Sequence, residues 1–101
     1  MGKGKGGNLS AFKRMLCIDY LLRNSKPTIQ ELIKFITDNT PGNVEPSKRS
    51  VQLDIENMRS GALGIRLDIV AVNTGNSVFR YRYTASSLTL GDAIKSWQPK
   101  N

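Results

Sequence analysis

The chain has 101 residues, which is enough for one domain with a modest hydrophobic core. Fifteen lysines and arginines against eight acids give a net charge of +7, and on so small a chain this favours a polyanionic partner. No apolar run approaches the ~18–20 residues of a membrane-spanning helix. We therefore expect no membrane partner.

This composition lacks residues that many catalytic and metal-binding sites require. The absence of histidine removes Ser-His-Asp and Cys-His catalysis and histidine-containing zinc sites. The acids are scattered along the chain, so they predict no carboxylate pair. We expect no enzyme activity, no catalytic residues, no metal and no cofactor. Cys17 is the only cysteine, which excludes an internal disulfide; with no visible signal peptide, a cytoplasmic protein is expected.

The N-terminal residues 1–8 are rich in glycine and predict a disordered basic tail. The tail is either a flexible arm that reaches DNA or a solvated segment. Residues 9–24 predict the first helix, because their apolar residues recur at helical spacing. This stripe consists of Ala11, Met15, Ile18 and Leu22.

A second helix is predicted from about Ile29 to about Thr37. Thr28 and Glu31 have the spacing of a capping box, in which each side chain bonds the other residue's backbone N–H. Its inward face is predicted to be Ile29, Leu32, Ile33 and Ile36. Residues 38–46 are turn-forming throughout, and Val44 is expected to fill the core midway along them.

The third helix is predicted to begin after Ser47 and to end before Gly61. Its apolar residues at i, i+4 and i+7 share one buried side; they are Val51, Ile55 and Met58. The other side carries Lys48, Arg49, Ser50 and Gln52, which suit phosphate oxygens and base edges. Cations in a first helical turn oppose the helix dipole, so an anion is expected nearby.

A β-hairpin is predicted from alternation over residues 65–72 and 79–84. A loop at residues 73–77, including Asn76, would set Asp68 opposite Arg82 and Val70 opposite Arg80. One face would then pack its aromatic residues inward, namely Phe79, Tyr81 and Tyr83. The other face would present Arg66, Arg80 and Arg82 as a basic surface. Residues 85–101 predict a linker or a short C-terminal helix, with Trp97 docked, paired with a second chain or free.

The segment from Ser47 to Arg59 resembles the recognition helix Ser-x-Arg-Thr-Val-x-Arg-Asp-Ile-x-x-Leu of WYL-type bacterial regulators and related DeoR-like domains. The similarity extends to residues 14–22, 28–32, 63–65 and 79–83. Leu53 stands where the family usually has arginine, and Ser50 replaces threonine. The sensing domain that usually follows has no counterpart here, so the chain is expected to be either a fragment of a longer regulator or a small stand-alone protein.

The resemblance implies an α+β winged helix-turn-helix over residues 9–84, three helices and a β-hairpin wing, with 85–101 as an extension. It implies a double-stranded DNA-binding transcriptional regulator, nucleoid-associated in the cytoplasm. The expected DNA contacts are Lys48, Arg49, Ser50, Gln52, Arg66, Asn76, Arg80 and Arg82, with Lys13, Arg14 and Lys26 as further contributors. Asp54 is expected to pair with a nearby basic residue.

The alternative is a winged helix used as a protein interaction or dimerisation module without DNA binding, which Leu53 on the exposed side favours. RNA is less favoured, because the hairpin aromatics are expected to face the core and leave no stacking platform. The sequence leaves open whether the partner is a second copy or a C-terminal effector domain.

Overall fold

The structure is a computed structural model that describes the backbone of residues 7–96 and the side chains of residues 11–95. The elements, in chain order, are α1 (Gly7–Asn24), α2 (Ile29–Asn39), α3 (Lys48–Ser60), β1 (Ile69–Asn73), β2 (Phe79–Tyr83) and α4 (Leu90–Ser96). Three helices thus precede an antiparallel two-stranded hairpin, which confirms the α+β class. Within the described residues, no helix combines the length and the apolar character needed to cross a membrane.

The three predicted helices are present; α3 has the predicted ends, and only the start of α1 and the end of α2 differ, each by about two residues. α1 begins at Gly7 instead of Leu9, so the predicted tail of residues 1–8 overlaps the helix by two residues. Residues 1–6 lie outside the described part. α2 begins at Ile29 as predicted and continues to Asn39. Its capping box is confirmed: Glu31 N donates to Thr28 Oγ1 at 3.1 Å, and Thr28 N donates to Glu31 Oε1 at 3.0 Å.

The core is formed by the apolar faces of the helices, as the spacing predicted. All seven apolar residues predicted to face inward on α2 and α3 are buried. They pack with Met15, Ile18 and Leu22 of α1. Burying each such side chain contributes about 1.5–3 kcal/mol, so these contacts fix the positions of the three helices relative to one another.

The prediction that Val44 fills the core is wrong, since this side chain is 70% exposed. One turn of 3-10 helix at Pro41–Asn43 reverses the chain before it. The turn satisfies its own backbone, because Asn43 N donates to Thr40 O at 3.1 Å and Asn43 Nδ2 to Thr37 O at 3.2 Å. The helices already fill the core, so the loop needs no apolar residue beneath it.

The predicted hairpin register is wrong by two residues. Val70 lies opposite Arg82 and Val72 opposite Arg80. The turn lies at residues 75–78, where Val78 N donates to Gly75 O at 2.9 Å. A shift of two residues keeps every side chain on its predicted face, which is why alternation alone does not exclude it. β1 also begins at Ile69, four residues later than predicted.

The aromatic side chains of β2 are less buried than predicted. Tyr81 and Tyr83 pack partly against the core, whereas Phe79 is 44% exposed. Phe79 pairs with Asn73 at the ends of the strands next to the turn. The prediction that it packs inward is therefore wrong.

Two backbone hydrogen bonds between described residues attach the hairpin to the helical part. Leu67 N donates to Met58 O at 3.1 Å, which joins the chain before β1 to the end of α3. Tyr81 N donates to Pro27 O at 2.9 Å, which joins β2 to the segment between α1 and α2. Leu67 lies before β1 and Tyr81 at the midpoint of β2, so neither bond involves the turn at residues 75–78.

The C-terminal extension continues into the core instead of leaving it. α4 is the predicted short helix, and its first residue, Leu90, is 4% exposed and belongs to the core cluster. Residues 85–89 therefore connect two packed elements. Trp97 lies outside the described residues.

Candidate nucleic-acid interface

The orientation of α3 is set by one buried apolar face and one buried ion pair. Val51, Ile55 and Met58 are each at most 2% exposed. Asp54, on the same face, accepts hydrogen bonds from Arg14 Nε at 2.5 Å and Arg14 Nη2 at 3.1 Å. The planar guanidinium and carboxylate groups thus meet through two bonds, an arrangement with high directional specificity. The opposite face of α3 is left open to solvent.

The start of α3 carries two cations that have no acidic partner among the described residues. Ser47 caps the helix, its Oγ accepting from Ser50 N at 3.0 Å. Lys48 and Arg49 follow in the first turn, are exposed, and form no ion pair with any described residue. The first turn holds no acid. The helix dipole and both charges therefore produce positive potential at the same exposed end.

The remaining candidate residues on α3 differ in exposure and in which side-chain donors and acceptors are available to a ligand. Gln52 is exposed and retains a donor and an acceptor for a base edge. Ser50 is half-buried, and its Oγ accepts a hydrogen bond from Ser47 Oγ at 3.0 Å. Leu53 is 47% exposed, so the open face of α3 includes an apolar side chain beside its polar ones.

Arg80 has partners within the protein. Its Nη1 donates to Lys26 O at 2.8 Å and lies 3.2 Å from Glu31 Oε1. Glu31 also closes the capping box of α2, so one carboxylate oxygen receives both the Thr28 N–H and this guanidinium. Arg80 therefore links the hairpin to the start of α2, and part of its charge is neutralised there.

The other candidate residues in and beside the hairpin form no ion pair with a described residue. Arg82 donates from Nη1 to Tyr83 O at 3.3 Å and forms no ion pair with a described residue. Arg66 is exposed and lies in the segment before β1, beside Gly61 at the end of α3. Asn76 is exposed at the turn, with a left-handed φ of 53°.

The structure brings together only part of the predicted set. Lys48, Arg49 and Gln52 share the first turn and a half of α3. Arg66 lies near the opposite end of that helix, about 18 Å away along its axis. Arg80 and Arg82 share one face of β2 as predicted, but Arg66 lies before β1 beside the end of α3, and Arg80 is bonded to Glu31.

Sequence reasoning missed two groups that support this arrangement. Arg14 was expected to help bind DNA, but it is the partner of Asp54, 40 residues away. Asp19 is 2% exposed and accepts from Tyr83 Oη at 2.6 Å, Leu90 N at 3.0 Å and Arg23 Nε at 2.9 Å. An acid inside the apolar stripe of α1 is the signal that was available, since buried acids require partners.

Burial also perturbs two side chains in this framework. Desolvation, followed by the hydrogen bond to Asp19, raises the pKa of the Tyr83 hydroxyl well above its ordinary value. Burial likewise raises the pKa of the Cys17 thiol, which keeps it in the less reactive protonated form at neutral pH. Neither group lies on the open face of α3.

Comparison with known proteins gives no match: no family model, no curated protein and no solved structure matches this chain.

Proposed function

We propose that this chain is a winged-helix domain that binds double-stranded DNA, with α3 in the major groove and the hairpin against the backbone or minor groove. The observation that carries the proposal is the exposed start of α3, where Lys48 and Arg49 form no ion pair with any residue that the structure describes. Arg14, Arg23, Lys34, Arg59 and Arg80 have acidic partners, whereas Arg82, like Lys48 and Arg49, forms no ion pair with a described residue. Phosphate at this end would be stabilised by both charges and by the dipole.

Base reading in this proposal falls to Arg49 and Gln52. An arginine can donate two bonds to guanine O6 and N7, and a glutamine can bond adenine N6 and N7. Leu53, on the same open face, suits contact with a thymine methyl group. Arg66, Arg82 and Asn76 would contact the backbone, where they add affinity without sequence information.

The biological role follows from the resemblance to WYL-type regulators and belongs to the same proposal. The chain would serve as the DNA-binding part of a bacterial transcriptional regulator, associated with the nucleoid in the cytoplasm. Its unpartnered cations make binding salt-dependent, with log K falling by about 0.9 per contacted phosphate for each unit of log salt concentration.

A second candidate function is a protein interaction module, and the exposure of Leu53 and Val44 on either side of the start of α3 favours it. Charged residues are depleted at the centres of protein interfaces, whereas Lys48 and Arg49 lie between these two side chains in sequence. We therefore rank this candidate second.

The test is an amide chemical-shift titration with a mixed-sequence duplex, at low and then moderate salt. The DNA proposal expects shifts concentrated in residues 47–53 and 73–82 that fade as salt rises. Absence of shifts at low salt would discard it and leave the protein interaction module as the leading candidate.

A pair of variants then locates the contact. Arg49→Ala should weaken binding to a selected site by about 1–3 kcal/mol. Arg59→Ala is the matched control, because it removes the same charge from the last turn of the same helix, about 15 Å away. Equal losses from both variants would attribute binding to net charge and reject α3 as the reading helix.

A further inference from the structure

The open face of α3 contains an acid as well as the residues assigned to base reading. The buried residues of the helix define the direction of the core. At about 100° per residue, Arg49, Leu53 and Glu56 all lie within roughly 30° of the opposite direction. All three side chains are exposed. A cation, an apolar group and a carboxylate therefore follow one another along the centre of the open face.

The Glu56 carboxylate is only loosely paired within the protein. Its side chain is 63% exposed, and its Oε1 lies 3.9 Å from Arg59 Nη1, which is longer than a hydrogen bond. Exposed ion pairs of this kind contribute little to stability. Both carboxylate oxygens are therefore able to accept hydrogen bonds from a ligand that approaches the open face.

A carboxylate at this position distinguishes strongly between the groups that a DNA duplex presents. Phosphate oxygens repel it and offer it no donor. In the major groove, guanine and thymine present acceptors, and the N6 donor of adenine lies next to the N7 acceptor. Cytosine presents the N4 donor, with which a glutamate pairs. A carboxylate on the open face therefore favours cytosine and disfavours the other three bases.

We propose that Glu56 is a specificity-determining residue of α3, which accepts a hydrogen bond from cytosine N4 in the major groove. This inference rests on the proposed DNA binding. Glu56 follows Arg49 by seven residues, about 10 Å along the helix axis. Base pairs are about 3.4 Å apart along the duplex. The guanine bound by Arg49 and the cytosine bound by Glu56 should therefore lie about three base pairs apart.

The negative charge also counteracts the attraction that the basic chain has for every duplex. A net charge of +7 favours binding to phosphates whatever the sequence. Specificity is a difference between two affinities, and a group that penalises the wrong partner increases this difference. Glu56 lowers the affinity for sequences that offer it no donor, and it lowers the affinity for the cytosine-containing site less.

Selection from a random-sequence duplex library tests the proposal base by base. The chain should enrich a motif in which a guanine and a cytosine lie about three base pairs apart. Arg49→Ala should lose the guanine. Glu56→Gln should exchange the cytosine for adenine, because glutamine can bond adenine N6 and N7. A motif without this cytosine, or a cytosine that Glu56→Gln retains, would overturn the proposal.

Glu45→Gln is the matched control, because it removes the same charge from an exposed position in the loop before α3. Fluorescence anisotropy compares the selected duplex with one in which thymine replaces the cytosine. The wild type should prefer the cytosine duplex roughly tenfold. Glu45→Gln should keep this preference, and Glu56→Gln should abolish it. An equal gain in affinity for both duplexes from the two variants would indicate charge repulsion alone and reject the role of Glu56.

Failure of DNA binding gives a result different from failure of this inference. A wild type that enriches no sequence and binds no duplex at low salt would overturn the proposed function together with the role of Glu56. A motif that contains the guanine but lacks the cytosine would overturn the role of Glu56 alone. Glutamate and glutamine have similar helix propensities, and circular dichroism verifies that each variant folds.

Discussion

Arg14 of α1 and Asp54 of α3 face each other through two hydrogen bonds, and the carboxylate side chain is only 4% exposed. The pair joins two helices whose sequence positions differ by 40 residues. Because Asp54 shares the buried face with Val51, Ile55 and Met58, the pair also fixes the rotation of α3 about its axis. The Arg14–Asp54 contact on the buried face of α3 therefore determines which side chains the helix presents to a ligand.

Arg14→Met should destabilise the fold by about 2–4 kcal/mol, because it leaves the Asp54 carboxylate buried without its partner. The measurement is urea unfolding followed by circular dichroism. Arg14→Met/Asp54→Leu is the informative companion, since replacing both charges by apolar groups should recover most of the loss. A double variant as unstable as the single one would contradict an electrostatic origin.

Tyr83 should make the stability of the protein sensitive to alkaline pH. Burial and the bond to Asp19 raise the pKa of this hydroxyl above its ordinary value of 10.0. The pKa of the hydroxyl is thus higher in the folded state than in the unfolded state. Its contribution to the free energy of unfolding is therefore complete below pH 10 and is lost as pH rises through the alkaline range. Thermal unfolding between pH 8 and pH 11 measures it.

Tyr83→Phe separates this effect from the titration of lysines. The variant should lose about 1.5–3 kcal/mol at neutral pH, because the Asp19 carboxylate loses one donor. The Tm of the variant should also fall less steeply above pH 10 than the Tm of the wild type. Identical declines in both proteins would assign the alkaline effect to other groups.

Ser77→Gly should stabilise the hairpin. Asn76 and Ser77 have φ of 53° and 62°, and a left-handed conformation costs a non-glycine residue about 1–2 kcal/mol. Asn-Gly is the preferred pair for a turn with two positive φ angles. We expect a gain of about 0.5–1 kcal/mol, seen as a higher Tm. Ser86→Gly, at an exposed position without a positive φ, should give no gain.

The substitutions Arg80→Ala and Arg82→Ala should have different effects on stability and on DNA binding. Arg80→Ala removes the contacts to Glu31 and Lys26 O, so it should cost about 0.5–1 kcal/mol of stability. Arg82→Ala should leave stability nearly unchanged and reduce affinity for all duplexes alike. The two are compared by urea unfolding and by fluorescence anisotropy with unrelated duplexes. A larger affinity loss from Arg80→Ala would show that Arg80 leaves Glu31 on binding.

The helical part of the fold was predictable because its signals are local. The capping box at Thr28 and Glu31 and the glycine after α3, Gly61 with φ of 90°, are short patterns whose geometry depends on neighbouring residues. The buried faces follow from helical spacing in the same way.

The predictions that were wrong concern strand register and contacts between distant residues, which the spacing of residue types along the chain does not determine. Two hairpin registers that differ by two residues bury the same faces, and the positive φ angles at Asn76 and Ser77 fix the turn that distinguishes them. The partner of Arg80 lies 49 residues away. Sequence therefore identified the basic residues of the candidate site but not which of them have internal partners.

The Asp19 carboxylate also has a consequence for the order of events while the chain is being made. Two of its three donors, Tyr83 and Leu90, follow it by 64 and 71 residues. A nascent chain therefore carries α1 with this acid still hydrated until almost the whole domain has left the ribosome. Asp19 can therefore gain its full set of donors only after Leu90 has been synthesised.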